Sequence, residues 1–166
     1  MKTRLSKAQA AYEDAVENVS DLHVKISEGN TKLGAIPSVS LIPVMDCGNC
    51  AICAKSCYDL RNDFIYKEVI NTRAINSAIY HEDPERYFKE IDGYLDYRFP
   101  RAFRFHIGGD IQNKWYLGKM CEIARKHKDT KFLTFTKMFD VCNEYLDDGN
   151  VIPENMHILF SGWLGL

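Results

Sequence analysis

The chain has 166 residues, of which 46% are hydrophobic and 27% are charged, a size and composition typical of one soluble globular domain. Its formal net charge of −2 excludes a global basic field that would draw the protein onto nucleic acid, so such binding needs a local patch. The chain has no apolar run near the roughly 18 to 20 residues of a membrane-spanning helix and no secretory signal, so we expect a cytoplasmic protein without a membrane partner.

The first part of the chain predicts one helix followed by extended segments. Apolar residues recur at helical spacing over 6–19, which predicts a helix. The segment 23–27 alternates like a short strand, and 28–34 is rich in turn residues. Two prolines exclude a helix from 36–43, so we expect this segment to run extended up to a group of cysteines.

The middle of the chain predicts helices, and the remainder alternates strands with helices. The apolar pattern is helical from Cys57 to Tyr80. Asp83, Pro84 and Glu85 start a further helix, because proline suits the first turn and acids suit the positive end of the helix dipole. The elements predicted after residue 100 are a strand over 102–107, a helix over 114–126, a strand over 131–135, a helix over 138–146 and a strand over 156–160.

This alternation predicts an α/β fold with a parallel sheet and right-handed crossovers. Without repeats or linkers, we interpret 1–166 as a single domain, with an N-terminal helical extension over 1–22 and an α/β core over 23–166. The sequence stops just after the last predicted strand, with no helix to cover it. We therefore expect a partial parallel β/α barrel, truncated at its C-terminus, whose last edge is protected by a partner or a missing part.

Four of the six cysteines form a compact cluster with the spacing C-x2-C-x2-C-x3-C. They are Cys47, Cys50, Cys53 and Cys57. In a reducing compartment, clustered thiols indicate metal binding or catalysis rather than disulfides. The spacing matches the run of bacterial ferredoxins, although Tyr58 replaces their proline and no second run is present. We therefore predict a [4Fe–4S] cluster on these thiols.

Two alternatives stay open for the cysteine cluster. Either all four thiols bind and the cluster is closed, or three bind and one iron is open to a substrate or S-adenosylmethionine. Radical enzymes that use S-adenosylmethionine are of the three-thiol type, and the C-x3-C-x2-C triplet usual in them is absent. Zinc is the rival metal, because thiolates bind it equally well, although structural zinc sites usually split into two separated pairs. Cys121 and Cys142 stand apart, and we interpret both as buried small hydrophobic residues.

Polar residues also follow three consecutive predicted strands, where ligands bind in parallel α/β folds. Gly108, Gly109 and Asp110 end the first of these strands, Lys137 follows the second and Ser161 follows the third. Paired glycines let a backbone approach a ligand closely, and an acid can accept hydrogen bonds from an amine or a ribose. The alternative is a tight turn with Asp110 capping a helix.

His106 is a candidate whose role depends on the barrel. It lies in the predicted strand two residues before Gly108 and shares one strand face with Arg104. Inside a barrel that face lines the floor of an active site, whereas in an open sheet it is the solvent side. A single histidine in a strand is more often structural.

Several motifs taken together resemble the phage gene product eighty-eight family. The resemblance runs from about residue 23 to the end. The motifs are the segment 25–41, the cysteine cluster ending in Cys57-Tyr58, and the segments 103–110, 135–137 and 160–163. The family occurs in phages and mobile elements, and its members usually continue past the last of these motifs. Its layout is similar to a degenerate radical S-adenosylmethionine barrel, with the cysteine loop after the first strand and a Gly-Gly-acid turn further on.

The resemblance implies an iron–sulfur protein and, if it is an enzyme, reductive cleavage of S-adenosylmethionine at the cluster. It favours three cysteines as ligands, namely Cys47, Cys53 and Cys57. The residues expected to place the cofactor's amine are Gly108, Gly109 and Asp110. The side chains expected to face an unknown substrate are His106, Lys137 and Ser161. The alternative is a non-catalytic module, stabilised by zinc or a cluster, that binds nucleic acid or a partner protein.

Overall fold

The computed structural model describes residues 2–29, 34–48 and 53–162. Within these ranges the chain forms six α-helices and four β-strands. The helices are α1 (Lys2–Glu17), α2 (Tyr58–Ile65), α3 (Lys67–Glu82), α4 (Pro84–Arg98), α5 (Lys114–Lys126) and α6 (Phe139–Asp147). The strands are β1 (Ser38–Val39), β2 (Ala102–Phe105), β3 (Lys131–Thr136) and β4 (Met156–Phe160).

The four strands form one open, all-parallel sheet in the order β1-β2-β3-β4. In the register, Ser38 pairs with Arg104 and Leu133 pairs with both Arg104 and His157. The predicted α/β class with a parallel sheet is therefore confirmed, and an open sheet of this kind is consistent with a partial barrel. Because every strand runs the same way, all four carboxyl ends lie at one edge, where α/β proteins bind ligands.

An aromatic core lies between the sheet and the helices. Phe103 and Phe105 of β2 and Phe132 of β3 are fully buried, with ring centroids 5.2 to 6.1 Å apart. From the helical side, Tyr87 of α4 and Tyr116 of α5 join this core, and the Tyr116 hydroxyl donates to the Tyr87 hydroxyl at 3.2 Å. The packing fixes the central strands, and with them the loops at their carboxyl ends.

The predicted strand over 23–27 is wrong. Only Ser27 forms a β-bridge there, to Ser38. The amide of Val24 donates to the Glu90 carboxylate and the amide of Lys25 to the Asn76 side chain, both at 2.7 Å. Because side chains of α3 and α4 satisfy the backbone at Val24 and Lys25, the segment forms no strand and meets the sheet only through the bridge at Ser27.

Other elements differ from the predictions mainly at their ends. The helical pattern after Cys57 is two helices, because Tyr66 between them has extended backbone. Helix α4 begins as expected, with the Asp83 carboxylate accepting from the Arg86 amide at 2.9 Å. Strand β2 is shorter than expected because His106 has a left-handed φ of 61°. Among the described residues, no helix combines the length and apolar character needed to cross a bilayer.

Candidate functional site

A cavity of about 540 Å³ lies at the carboxyl edge of the sheet. Residues following each of the four strands line it. The predicted site residues among them are Cys47, Cys53, Cys57, His106, Gly108, Gly109, Asp110, Lys137 and Ser161. Cys50 lies outside the described residues. The structure therefore brings every predicted site residue that it describes to one cavity.

Three thiols face this cavity, and two of them accept backbone hydrogen bonds. The Val44 amide donates to Cys47 Sγ and the Leu60 amide donates to Cys57 Sγ, each at 3.3 Å. Cys57 directly precedes α2, so its sulfur caps the first helical turn, where backbone amides favour a thiolate. Together with Cys53, these residues are half-buried. The three sulfur atoms are not all within 4.8 Å of one another.

Asp46 anchors the segment 41–48, here called the cysteine loop, to the rest of the fold. Its buried carboxylate accepts a hydrogen bond from Ser77 Oγ at 2.6 Å and lies 2.6 Å from His81 Nε2, both on α3. The Asp46 carbonyl accepts from the amide of Asp110 at 2.8 Å and from the Gln112 side chain at 2.7 Å. The residue before Cys47 is thus tied both to α3 and to the loop after β2.

His81 makes this anchor sensitive to pH. Its hydrogen bond to Asp46 raises the pKa of His81, and burial opposes that effect. A raised pKa in the folded state means that the charged ring stabilises the fold fully below the ordinary histidine pKa of about 6.5. We expect this stabilisation to be lost as the pH rises through the folded pKa. Because the His81 side chain is 43% exposed, the expected loss is below about 1 kcal/mol.

The free energy of urea unfolding, measured from about pH 6.5 to about pH 8, checks this expectation. His81→Gln should flatten the decline that the wild-type protein shows in this window. At higher pH the buried thiols of Cys121 and Cys142, whose pKa values burial raises, lower the stability of both proteins. His106 does not interfere, because burial lowers its pKa to about 4 and its titration changes stability only below about 6.5. An identical decline in both proteins would contradict the role given to His81.

Gly108 and Gly109 are required by close packing. A Cβ on Gly108 would lie 2.4 Å from Asp59 Oδ2 and 2.7 Å from Arg73 Cζ. Gly109 has a left-handed φ of 80°, and a Cβ there would lie 2.7 Å from Leu41 Cβ. The two glycines therefore let the loop after β2 pass against a buried ion pair and against the cysteine loop.

Asp110 joins the loops after β2 and β3. Its Oδ1 accepts from the Thr136 hydroxyl at 2.6 Å and from the Ile111 amide at 2.7 Å, and its Oδ2 accepts from the Lys137 amide at 2.9 Å. Asp110 does not cap α5, because Asn113 occupies that position and accepts from the Tyr116 amide. Both carboxylate oxygens of Asp110 are thus used within the protein.

His106 lines the cavity as a neutral ring. It is 2% exposed, and burial lowers its pKa to about 4, an effect that the nearby Asp110 carboxylate and Gly108 backbone only partly offset. The Gly108 backbone lies near enough to affect the ring electrostatically, yet by distance and angle neither ring nitrogen makes a hydrogen bond to any described group. In the described part of the chain, no hydroxyl or thiol is therefore paired with His106 as an activated nucleophile.

Three further residues that the sequence analysis did not assign to the site line or support the cavity. Arg104 places its guanidinium 5.0 Å from the centroid of the Phe135 ring. Asp59 lies at the cavity wall and accepts from Arg73 at 2.9 Å, and both side chains are 5% exposed. The shared strand face of Arg104 and His106 was the one available signal for Arg104. Asp59 and Arg73 carry no local pattern that could have found them.

A larger cavity of about 740 Å³ between α4 and α5 contains none of the predicted site residues. Beside it, Asp92, Asp96 and His127 lie close enough together to hold a metal ion. The Lys126 ammonium already lies 2.7 Å from Asp92 Oδ2 and 2.6 Å from Asp96 Oδ2. Because a cation of the protein neutralises these carboxylates, we assign no site there.

Comparison with known proteins identifies a family. The model of a family described as Gene product 88 matches residues 5–163. No curated protein and no solved structure matches the chain significantly.

Proposed function

Because the chain belongs to the Gene product 88 family and turns three cysteines toward one cavity, we propose that it binds an iron–sulfur cluster there. The observation that carries the proposal is the shared position of Cys47, Cys53 and Cys57. Their sulfur atoms are soft ligands suited to iron–sulfur clusters and zinc. The cluster that we propose is of the [4Fe–4S] type, held by these three thiols or by these and Cys50.

The backbone around the sulfur atoms suits thiolate ligands. The amides of Val44 and Leu60 donate to Cys47 and Cys57 at 3.3 Å. Hydrogen bonds to ligand sulfur atoms are among the protein's means of tuning a cluster's reduction potential. Cys57 in addition precedes α2, whose first-turn amides stabilise negative charge. The donor set and its surroundings therefore fit the proposed group.

Zinc is the rival metal for these three thiols, because thiolates bind both zinc and iron–sulfur clusters.

If the protein is an enzyme, we propose that a small ligand such as S-adenosylmethionine binds beside the cluster. A reduced cluster would supply the electron for cleavage of that cofactor. Gly108 and Gly109 place backbone groups at the cavity wall, where they could hydrogen-bond such a ligand. His106, Lys137 and Ser161 line the same cavity and would face the substrate.

One observation favours the non-catalytic alternative. The carboxylate of Asp110 already accepts three hydrogen bonds, from Thr136, Ile111 and Lys137, of the about four that its oxygens can accept. It is therefore poorly placed to hold the amine of a cofactor, the role that the family resemblance gave it. A module in which the metal ties the cysteine loop to the sheet, and whose surface binds nucleic acid or a protein, would need no such contact.

Anaerobic purification tests the proposal. We expect brown protein that absorbs at about 400 nm, contains iron and sulfide, and bleaches in air. Colourless protein with one zinc per chain would refute the cluster and support the zinc alternative. Folded protein with neither metal would overturn both. Formation of 5′-deoxyadenosine from S-adenosylmethionine under dithionite would then separate the enzyme from the non-catalytic module.

A further inference from the structure

The cavity is lined by two basic side chains, Arg104 and Lys137, and by two carboxylates. Its two carboxylates are Asp59 and Asp110, and both already have partners within the protein. Asp59 is paired with Arg73 at 2.9 Å, and the Asp110 oxygens accept hydrogen bonds from the neighbouring loops. Neither carboxylate is bonded to the Arg104 guanidinium. Among the described residues, Arg104 forms no ion pair.

Arg104 is held at the cavity wall despite lacking a carboxylate. Its guanidinium carbon lies 5.0 Å from the centroid of Phe135, a distance at which an aromatic face attracts a cation. The Nε atom is buried and has no hydrogen-bond partner among the described groups. A buried guanidinium N–H without an acceptor is costly, so ligand or solvent oxygen is expected to complete it.

The neighbouring histidine marks the same place. His106 follows Arg104 by two residues, lines the same cavity and is 2% exposed. Both of its ring nitrogens lack a partner among the described residues, and its backbone φ of 61° is strained for a residue with a side chain. Buried, unsatisfied and strained side chains concentrate at ligand sites.

We propose that Arg104 binds the oxyanion of a small ligand in this cavity, a carboxylate or a phosphate, while His106 forms a neutral hydrogen bond to the same ligand. The guanidinium fork matches both oxyanions. Phe135 fixes the guanidinium plane, so little side-chain entropy is lost on binding. The inference rests on the proposed function only in placing the ligand beside the cysteines.

Three adenosine probes that differ in their anion test the inference. They are S-adenosylhomocysteine with a carboxylate, adenosine 5′-monophosphate with a phosphate, and 5′-methylthioadenosine with neither. Calorimetric titration of the anaerobically purified protein should give tighter binding for at least one anionic probe than for the uncharged one. Arg104→Met keeps an unbranched side chain against Phe135. It should lower the affinity for that anionic probe by about tenfold or more. Binding of 5′-methylthioadenosine should stay unchanged.

Two further variants make the result decisive. Arg101→Met removes an exposed arginine just before the other end of β2 and should bind like the wild type. Arg104→Lys keeps the charge without the fork and should lie between the wild type and Arg104→Met. Whichever of the two anionic probes depends on Arg104 identifies the oxyanion. If the wild type binds no probe, or binds all three equally, the inference is overturned, and so it is if Arg104→Met binds like the wild type.

Iron and sulfide, measured in the same preparations, keep the two proposals separate. Binding that depends on Arg104 in protein without iron or sulfide would support the anion site and refute the cluster. If the protein contains full iron and sulfide but its affinity for the anionic probes does not change in Arg104→Met, only the anion site is refuted. Circular dichroism melting of each variant shows that a loss of binding does not reflect a loss of fold.

Discussion

Cys57→Ser is expected to lower the iron content of the anaerobically purified protein by more than about tenfold and to remove its absorption at about 400 nm. The Cys57 sulfur lines the cavity and is one of the three proposed ligands. A serine hydroxyl is a hard, protonated and weaker ligand for this soft metal centre. Serine is nevertheless a good cap for a helix, so its oxygen can still accept from the Leu60 amide. The loss of metal is therefore expected without loss of α2.

Cys142→Ala is the matched control for that experiment. Cys142 is buried in α6 at 3% exposure, and burial raises its pKa to about 11, so its thiol is protonated and a poor ligand. This variant should keep its iron. Cys50→Ser then distinguishes the ligand sets, because iron is lost if four thiols bind and kept if the set is Cys47, Cys53 and Cys57. Wild-type iron content in Cys57→Ser would contradict the proposed ligand set.

The convergence of the site residues could be predicted because it follows from topology. Gly108, Lys137 and Ser161 each follow a strand, and parallel strands bring their carboxyl ends to one edge of a sheet. Local patterns were enough to find the strands and the helices between them. The helix predicted over 114–126 and the strand predicted over 156–160 both match the structure. The interpretation of Cys121 and Cys142 as buried residues is also confirmed, at 0% and 3% exposure.

What the sequence could not predict are contacts between residues far apart in the chain. Asp46 is bonded to His81, 35 residues later, and no periodicity relates the two. The left-handed φ of His106 shortens β2, and positive φ is uncommon for any residue other than glycine, so no local pattern indicated it. The alternation over 23–27 predicted a strand, but such a pattern reports only which side chains are buried. It says nothing about which groups accept the backbone hydrogen bonds.

The buried ion pair behind the cavity gives the largest expected effect on stability. Arg73 donates to Asp59 Oδ1 at 2.9 Å, and the other Asp59 oxygen is buried without a partner among the described groups. Arg73→Met would leave this carboxylate uncompensated in the protein interior. We expect the free energy of unfolding to fall by about 3 to 5 kcal/mol, as measured by urea denaturation.

The double variant Asp59→Leu with Arg73→Met shows whether the charge, rather than lost packing, causes that fall. Replacing both members of a buried ion pair by apolar side chains of similar volume is often nearly neutral. The double variant should therefore recover most of the stability that Arg73→Met loses, a coupling expected of residues in direct contact. If the double variant is less stable than Arg73→Met, the pair does not act as an ionic unit. The contribution of Arg73 would then be steric packing rather than charge. Such packing is tight at Gly108, where a Cβ would lie 2.4 Å from Asp59 Oδ2 and 2.7 Å from Arg73 Cζ.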